Sequence, residues 1–243
     1  MVQIPTIQAF MQSYKHIFFD LDHTLWDFET NAKQTLLQLF DAKLAQKIGQ
    51  PFDIFFDRYS YHNHQLWARY EKGYIGVEEL KWKRMWRALL DFKVADEGLS
   101  KALSVQFLHI LPTKKEVFPH TFELLTYLTQ KKYQLHLITN GFEAVQQAKL
   151  HNSGLAPYFE VMVTSESSNS LKPKKEIFEY ALSKTGATLQ NSIMLGDNQE
   201  ADVMGALNVG MDAVFVNHIG AELKIPRNPT HQVNNLKEVE SIL

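Results

Sequence analysis

An apolar run closes on two carboxylates at His16-Ile-Phe-Phe-Asp20-Leu-Asp22-His-Thr24. If the run is a strand, its period of two sends both acids to one side. Aspartate at a strand end also serves as a turn former or helix N-cap, so D-x-D-x-T alone carries both readings. Three further polar groups hold comparable places: Thr139-Asn140-Gly141, Leu171-Lys172-Pro173 ahead of a helical segment, and Gly196-Asp197-Asn198-Gln-Glu-Ala-Asp202. Singly, Thr139 reads as a helix cap, Lys172 as a solvated ammonium and Asp197 as another turn. Together, all four groups converge on one edge if their elements share a sheet.

The elements that must position them are legible. Short apolar, β-rich segments recur at residues 16–21, 135–139, 159–164, 192–195 and 213–216. Helical candidates at 143–152, 174–185 and 200–209 lie between the later ones, each followed by a glycine suited to a helix C-terminus. Alternation of this kind predicts an α/β fold, a Rossmann-like parallel sheet with helices on both faces. Ligands of such sheets bind beyond the carboxyl ends of the strands, where the motif residues fall.

More than 110 residues separate Leu21 from Leu135, although a βαβ unit needs only about 30. Residues 121–131 supply a crossover helix, leaving 28–112 as an insertion. It reads as helical: Leu36, Leu37, Phe40, Leu44 and Ile48 form one stripe, Phe52, Phe55, Phe56, Tyr59, Leu66 and Tyr70 a second. Trp82, Met85, Trp86, Leu89 and Leu90 form a third, and Leu99, Ala102, Leu103, Phe107 and Ile110 a fourth. The expected organisation is a core of residues 1–27 and 113–243 with a helical-bundle cap at 28–112. Residues 1–12 show no clear period, Met11 is itself a candidate start, and no function is assigned to them.

Composition narrows the function. Lys plus Arg total 25 against 27 Asp plus Glu, for a net charge of −2, with no basic run to neutralise a string of phosphates. A nucleic acid polymer is therefore not the expected partner. The absence of cysteine excludes disulfides, thiolate nucleophiles and Cys-ligated metals. No basic n-region precedes an apolar stretch at the N-terminus, and no apolar stretch approaches the roughly 20 residues of a membrane span. The expectation is a cytoplasmic protein without a membrane partner.

On Asp20/Asp22, Thr139, Lys172 and Asp197/Asp202, matched in order from about Tyr14 to Leu243, the chain resembles the haloacid dehalogenase superfamily, whose phosphatases carry D-x-D-x-T, a Ser/Thr, a Lys and G-D-x-x-x-x-D. Phe-Asp-Leu-Asp-His-Thr-Leu-Trp-Asp-Phe and Ile-Thr-Asn-Gly-Phe further resemble its bacterial pyrimidine 5′-nucleotidases. The resemblance implies a phosphatase for a small phosphate monoester, with Asp20 as nucleophile and Asp22 as acid and then base. It implies Mg²⁺ held by the carboxylates of Asp20 and Asp197 and the backbone carbonyl of Asp22. Thr139, the Asn140 amide and Lys172 would hold phosphoryl oxygens, and Asp202 would orient Lys172 or the metal shell. Electrostatics demands such a set: three carboxylates and a dianionic phosphate repel at about 4 kcal/mol per like-charge pair at ~4 Å and an effective dielectric near 20. A hard divalent cation in an all-oxygen site, with a lysine, offsets that repulsion.

Other readings stay open. A phospho-accepting signalling receiver also gathers acids, a Thr and a Lys, but no acidic G-D motif follows its Lys. Dehalogenases resemble the chain yet lack the second aspartate, because a halide leaving group needs no proton. A sugar-phosphate phosphatase or phosphoglucomutase-like phosphotransferase is not separated by sequence. The insertion's aromatics are mostly core at helical spacing, with Trp26 and the 67–74 stretch as candidates for stacking on a nucleobase. His62 and His64, about 200° apart on a helix, cannot chelate one ion and read as solvated. His23 stands where many relatives carry glycine or another small residue, and residues 166–171 lack the glycine that commonly precedes the motif lysine.

Overall fold

A computed structural model describes residues 14–243. Residues 1–13, and with them the start of the expected core at residue 1, lie outside the described residues. In chain order, β1 (His16–Phe19) is followed by α1 (Phe28–Lys43), α2 (Ala45–Ile48), α3 (Phe52–Glu71), α4 (Val77–Asp91) and α5 (Glu97–Ile110). Then α6 (Thr121–Gln130) leads into β2 (Gln134–Thr139), after which strands and helices alternate as α7 (Glu143–Ser153), β3 (Val161–Thr164), the short α8 (Ser165–Ser168) and α9 (Lys175–Thr185). The chain closes with β4 (Ser192–Gly196), α10 (Gly205–Val209), β5 (Asp212–Val216) and β6 (His231–Val233).

The six strands form one parallel sheet in the order β3-β2-β1-β4-β5-β6. Every residue of β1 is buried because helices cover both faces. Ile17 and Phe19 join the core beneath α6 with Leu124 and Leu128, whereas Phe18 joins Ile177 and Phe178 of α9 on the other face. Burying such side chains on both faces contributes about 1.5–3 kcal/mol each and explains why the central strands read as unbroken apolar runs. Five strands agree with the sequence reading to within two residues. The sixth, β6, was invisible to it: His231 and Gln232 are exposed and Val233 alone is buried, too little for a period of two to register.

The helices α1 to α5 lie between β1 and β2 as the expected inserted bundle. Their burial corrects the stripes in detail: Leu37 and Leu90 are each 41% exposed and Ala102 is also exposed. Their places toward the core are taken by Leu39, Ala88 and Ser104. The two connections to the insertion are tied together. Asn31 donates from Nδ2 to the carbonyls of Asp27 (2.7 Å) and Glu116 (2.8 Å) and accepts the Glu116 amide at 3.1 Å. Asp27 also caps α1 by accepting the Thr30 amide. Among the described residues no helix is long and apolar enough to cross a membrane.

Candidate active site

Parallel register fixes the site. Phe19 pairs with Leu137 of β2 and Leu195 of β4, so Asp20, Thr139 and Asp197 all emerge at one carboxyl edge. The Asp20 amide continues the ladder by donating to the Leu195 carbonyl at 2.9 Å. Lys172 arrives from the loop after α8, buried to 1% exposure. Its Nζ lies 2.6 Å from Asp20 Oδ1, 2.6 Å from Asp202 Oδ1 and 2.6 Å from the Ile138 carbonyl. On the way to Lys172 the backbone takes a left-handed bend at Asn169, at φ 50°. Asn140 then anchors the Lys172 backbone at both atoms, accepting its amide at 2.8 Å and donating to its carbonyl at 3.1 Å.

Asp202 reaches Lys172 through an irregularity. A regular helix over 200–209 was expected, but residues Gln199–Met204 form a π-helical turn before α10. Asn198 accepts the amides of Glu200 and Ala201, and the Asn198 amide donates to Asp202 Oδ2 at 3.0 Å. The wider turn leaves the Asp202 carboxylate against β4, so close that a Cβ built on Gly196 would overlap it. Only glycine fits there. Asp197 accepts from the Thr24 hydroxyl at 2.9 Å, and Thr24 accepts the Asp197 amide at 3.0 Å.

Asp20, Asp197 and Asp202 each offer an oxygen within 4.8 Å of the others. Burial pushes the Asp20 carboxyl up to about 7, with Lys172 only partly offsetting it and Asp202 adding to it. Asp197 is raised well above its ordinary 3.8 by burial and then by Asp202 and Asp20. Burial opposes the Lys172 ammonium, but Asp20 and Asp202 outweigh it and hold its pKa above the ordinary value. One buried ammonium faces three crowded carboxylates, and all the donors are hard oxygens. That set fits a divalent cation.

Asp22 faces a different partner, one the sequence reading missed. Its Oδ1 is 2.6 Å from Lys149 Nζ and its Oδ2 accepts from Gln146 Nε2 at 2.9 Å. Gln146 also donates to Thr139 Oγ1 at 2.8 Å, and that oxygen accepts the Gly141 amide at 3.1 Å. Lys149 is 2% exposed and sits over the Trp26 ring at 4.5 Å and the Phe28 ring at 5.6 Å. Burial lowers its pKa, with Asp22 opposing. Gln146 and Lys149 are three residues apart on one face of α7, a signal present in the sequence but shared by any solvated helix face.

The insertion closes the pocket. A cavity of ≈ 290 Å³ holds Asp20, Asp22, Lys172 and Asp197 on one side, and α3 supplies Asn63, Trp67 and Glu71 on the other. The size is near the lower end for small-ligand sites. Glu71, its carboxyl raised by burial, reaches Asn140 Nδ2 at 3.5 Å. Trp67 lines the cavity and stacks on Phe142, with centroids 5.8 Å apart.

Two expectations are corrected. Trp26 is wholly buried beneath Lys149 and cannot stack on a ligand, because the antiparallel bridge to Val117 turns it into the hinge. Tyr74, at the end of the 67–74 stretch, is 70% exposed and does not line the cavity. His62 is not a solvated histidine; it contacts Asp91 at 2.9 Å. His64 is exposed and lies at the cavity beside Glu29, 3.5 Å away. His23 takes φ 66°, the left-handed region that favours glycine, and its ring lies against Phe28 at 5.0 Å beside the cavity.

Comparison with known proteins places the chain. Residues 14–210 match the family described as haloacid dehalogenase-like hydrolase. Pyrimidine 5′-nucleotidase PynA of Streptococcus pneumoniae is 30% identical over 93% of each chain. Pyrimidine 5′-nucleotidase YjjG of Escherichia coli is 30% identical over 93% of this chain and 96% of its own. The crystal structure of the HAD-hydrolase YfnB of Bacillus subtilis, bound to magnesium, superposes with a TM-score of 0.85 at 26% identity, covering 95% of this chain and 99% of that one.

Proposed function

The chain belongs to the haloacid dehalogenase-like hydrolase family, and from that premise we propose that it is a phosphatase for small phosphate monoesters, with pyrimidine nucleoside 5′-monophosphates as its substrates. The observation that carries the reading is the pair of acids at one strand end, each 2.6 Å from a lysine of its own. Asp20 is buried against Lys172, whereas Asp22 stands at the cavity against Lys149. A dehalogenase has no use for the second acid, since halide departs without a proton.

Asp20 attacks phosphorus in line, forming an aspartyl phosphate as the bond to the ester oxygen breaks. Asp22 delivers a proton to that departing oxygen. In the second step Asp22 takes a proton from water, whose oxygen attacks phosphorus and frees the Asp20 carboxylate and inorganic phosphate. Thr139, the Asn140 amide and Lys172 hold the phosphoryl oxygens, and Asp202 keeps Lys172 in place. Mg²⁺ would be held by the Asp20 and Asp197 carboxylates with the Asp22 backbone carbonyl. It would supply the positive charge that lets a phosphate dianion enter an acidic pocket. Residues 28–112 act as the cap, closing α3 over the substrate and excluding water.

The test is inorganic phosphate release from a panel of nucleotides and sugar phosphates, with and without Mg²⁺. Pyrimidine nucleotides are expected to lead the panel. Asp20→Asn is expected to keep its circular dichroism spectrum while losing turnover; a near wild-type rate in that variant, with Mg²⁺ present, refutes the nucleophile assignment.

A further inference from the structure

Among the described residues, no carboxylate pairs with the guanidinium that stands behind the cavity wall. Arg84 of α4 is 3% exposed, lies over the Phe107 ring at 5.5 Å and leaves its Nε without a partner among the described residues. Its Nη1 donates to Asn63 Oδ1 at 3.0 Å. A buried cation lacking a counter-charge is costly, so packing alone gives no account of it.

The bond to Asn63 does. Arginine can only donate, so the Asn63 carbonyl must be the atom that faces it, and the amide nitrogen is left as the free donor. Asn63 is itself only 3% exposed, yet it lines the cavity that contains Asp20. A cation on Oδ1 polarises the amide and strengthens its N–H as a donor. Asn63, Trp67 and Glu71 follow at intervals of four along α3 and share one face. Glu71 sits at the phosphate end, against Asn140. Asn63 lies eight residues back, roughly 12 Å along the helix axis, a span suited to a nucleotide rather than a short phosphate ester. Trp67 between them offers an aromatic wall.

We propose that Asn63, oriented by Arg84, is a specificity-determining residue that donates a hydrogen bond to the C2 carbonyl of a pyrimidine base. Uracil, thymine and cytosine share that acceptor; adenine has no carbonyl. The inference rests on the nucleotidase reading and names the group through which the same site selects its substrate. Asn63 donates only to the leaving group and takes no part in bond making at phosphorus.

Steady-state kinetics of the full chain with Mg²⁺ on UMP, AMP and ribose 5-phosphate test it. Asn63→Asp keeps the Arg84 contact as an ion pair but replaces the donor with an acceptor. The ratio of kcat/KM for UMP over that for ribose 5-phosphate is expected to fall about tenfold or more, mostly through KM for UMP. A substrate-side probe avoids any dependence on folding of the variant. With wild-type enzyme, 2-thio-UMP, whose sulfur is a poor acceptor, is expected to lose about fivefold or more in kcat/KM relative to UMP. Retention of the UMP preference in Asn63→Asp, a parallel loss on ribose 5-phosphate, or equal rates for UMP and 2-thio-UMP overturns the inference and leaves the nucleotidase reading intact. If the wild-type enzyme itself shows no preference for UMP over AMP and ribose 5-phosphate, the nucleotidase reading falls and the inference with it.

Discussion

Asp22→Asn and Lys149→Met remove the same ion pair, whose atoms lie 2.6 Å apart, yet their costs differ because the two charges are not equally buried. The Lys149 side chain is 3% exposed and that of Asp22 is 23% exposed. Asp22→Asn leaves a buried ammonium with a neutral amide oxygen, two ring faces and the more distant Asp20 charge in place of its counter-charge. Removing one partner of a buried pair costs about 3–5 kcal/mol, and the partial exposure of Asp22 places this case near 3. Lys149→Met instead takes the costly charge away. Its stem is replaced by a thioether of similar length against Trp26 and Phe28, and Asp22 keeps Gln146 and reaches water, so the loss is about 1 kcal/mol. At an m-value of about 2 kcal/mol per molar, the urea midpoints of the two variants should differ by about 1 M, with Asp22→Asn the lower. The double variant should recover most of that difference, since nothing charged is then stranded. Turnover should fall by about 10²–10⁴ in Asp22→Asn, through loss of the acid and base, and by less in Lys149→Met. Equal midpoints, or a lower midpoint for Lys149→Met, would refute the claim that the cost resides in the buried ammonium.

Three further outcomes follow from other parts of the structure. The Asp20 carboxyl sits at about 7 through burial, so below that pH a proton competes with the cation for the same oxygen. Mg²⁺ affinity by calorimetry should weaken by up to about tenfold per pH unit below 7, and an affinity unchanged from pH 7.5 to 5.5 contradicts this. In the core, burial and then His16 depress His136 from 6.5 to about 4, and the two rings stack at 5.4 Å. The unfolded chain takes up this proton at higher pH than the folded one, so the stability is fully present above about 6.5 and is lost as pH falls toward 4, by at most about 3 kcal/mol. Urea midpoints of His136→Phe should show a flatter acid slope; an unchanged slope rejects the assignment. Gly196→Ala places a methyl group on the Asp202 carboxylate. A destabilisation of about 1–3 kcal/mol should accompany a sharp loss of turnover, and a fully active variant would show that Asp202 can move without releasing Lys172.

The motif edge was readable before any coordinates because each acid follows an apolar strand. In an all-parallel sheet the strand ends carry the chemistry, so Asp20, Thr139 and Asp197 were found with their elements. The insertion was readable from chain length and from apolar spacing. Less legible were residues whose roles depend on a neighbour from a distant element. Lys149 and Gln146 look like any polar pair on α7 until β1 is laid beside them. Trp26 looked available to a ligand until the hinge was seen to bury it. The π-turn at Gln199–Met204 has no signature in a period, since it joins local bonds from Asn198 to the contact Asp202 makes with the distant Lys172.

By itself, then, the amino-acid order determined which side chains gather at the carboxyl edge and on what kind of sheet, because periodicity records which face of an element avoids water. Partners were decided by tertiary structure alone: which ammonium faces which carboxylate, and which cap residues share the cavity with Asp20. Coulombic and hydrogen-bond terms depend on distance and burial between elements, and neither quantity is written along the chain.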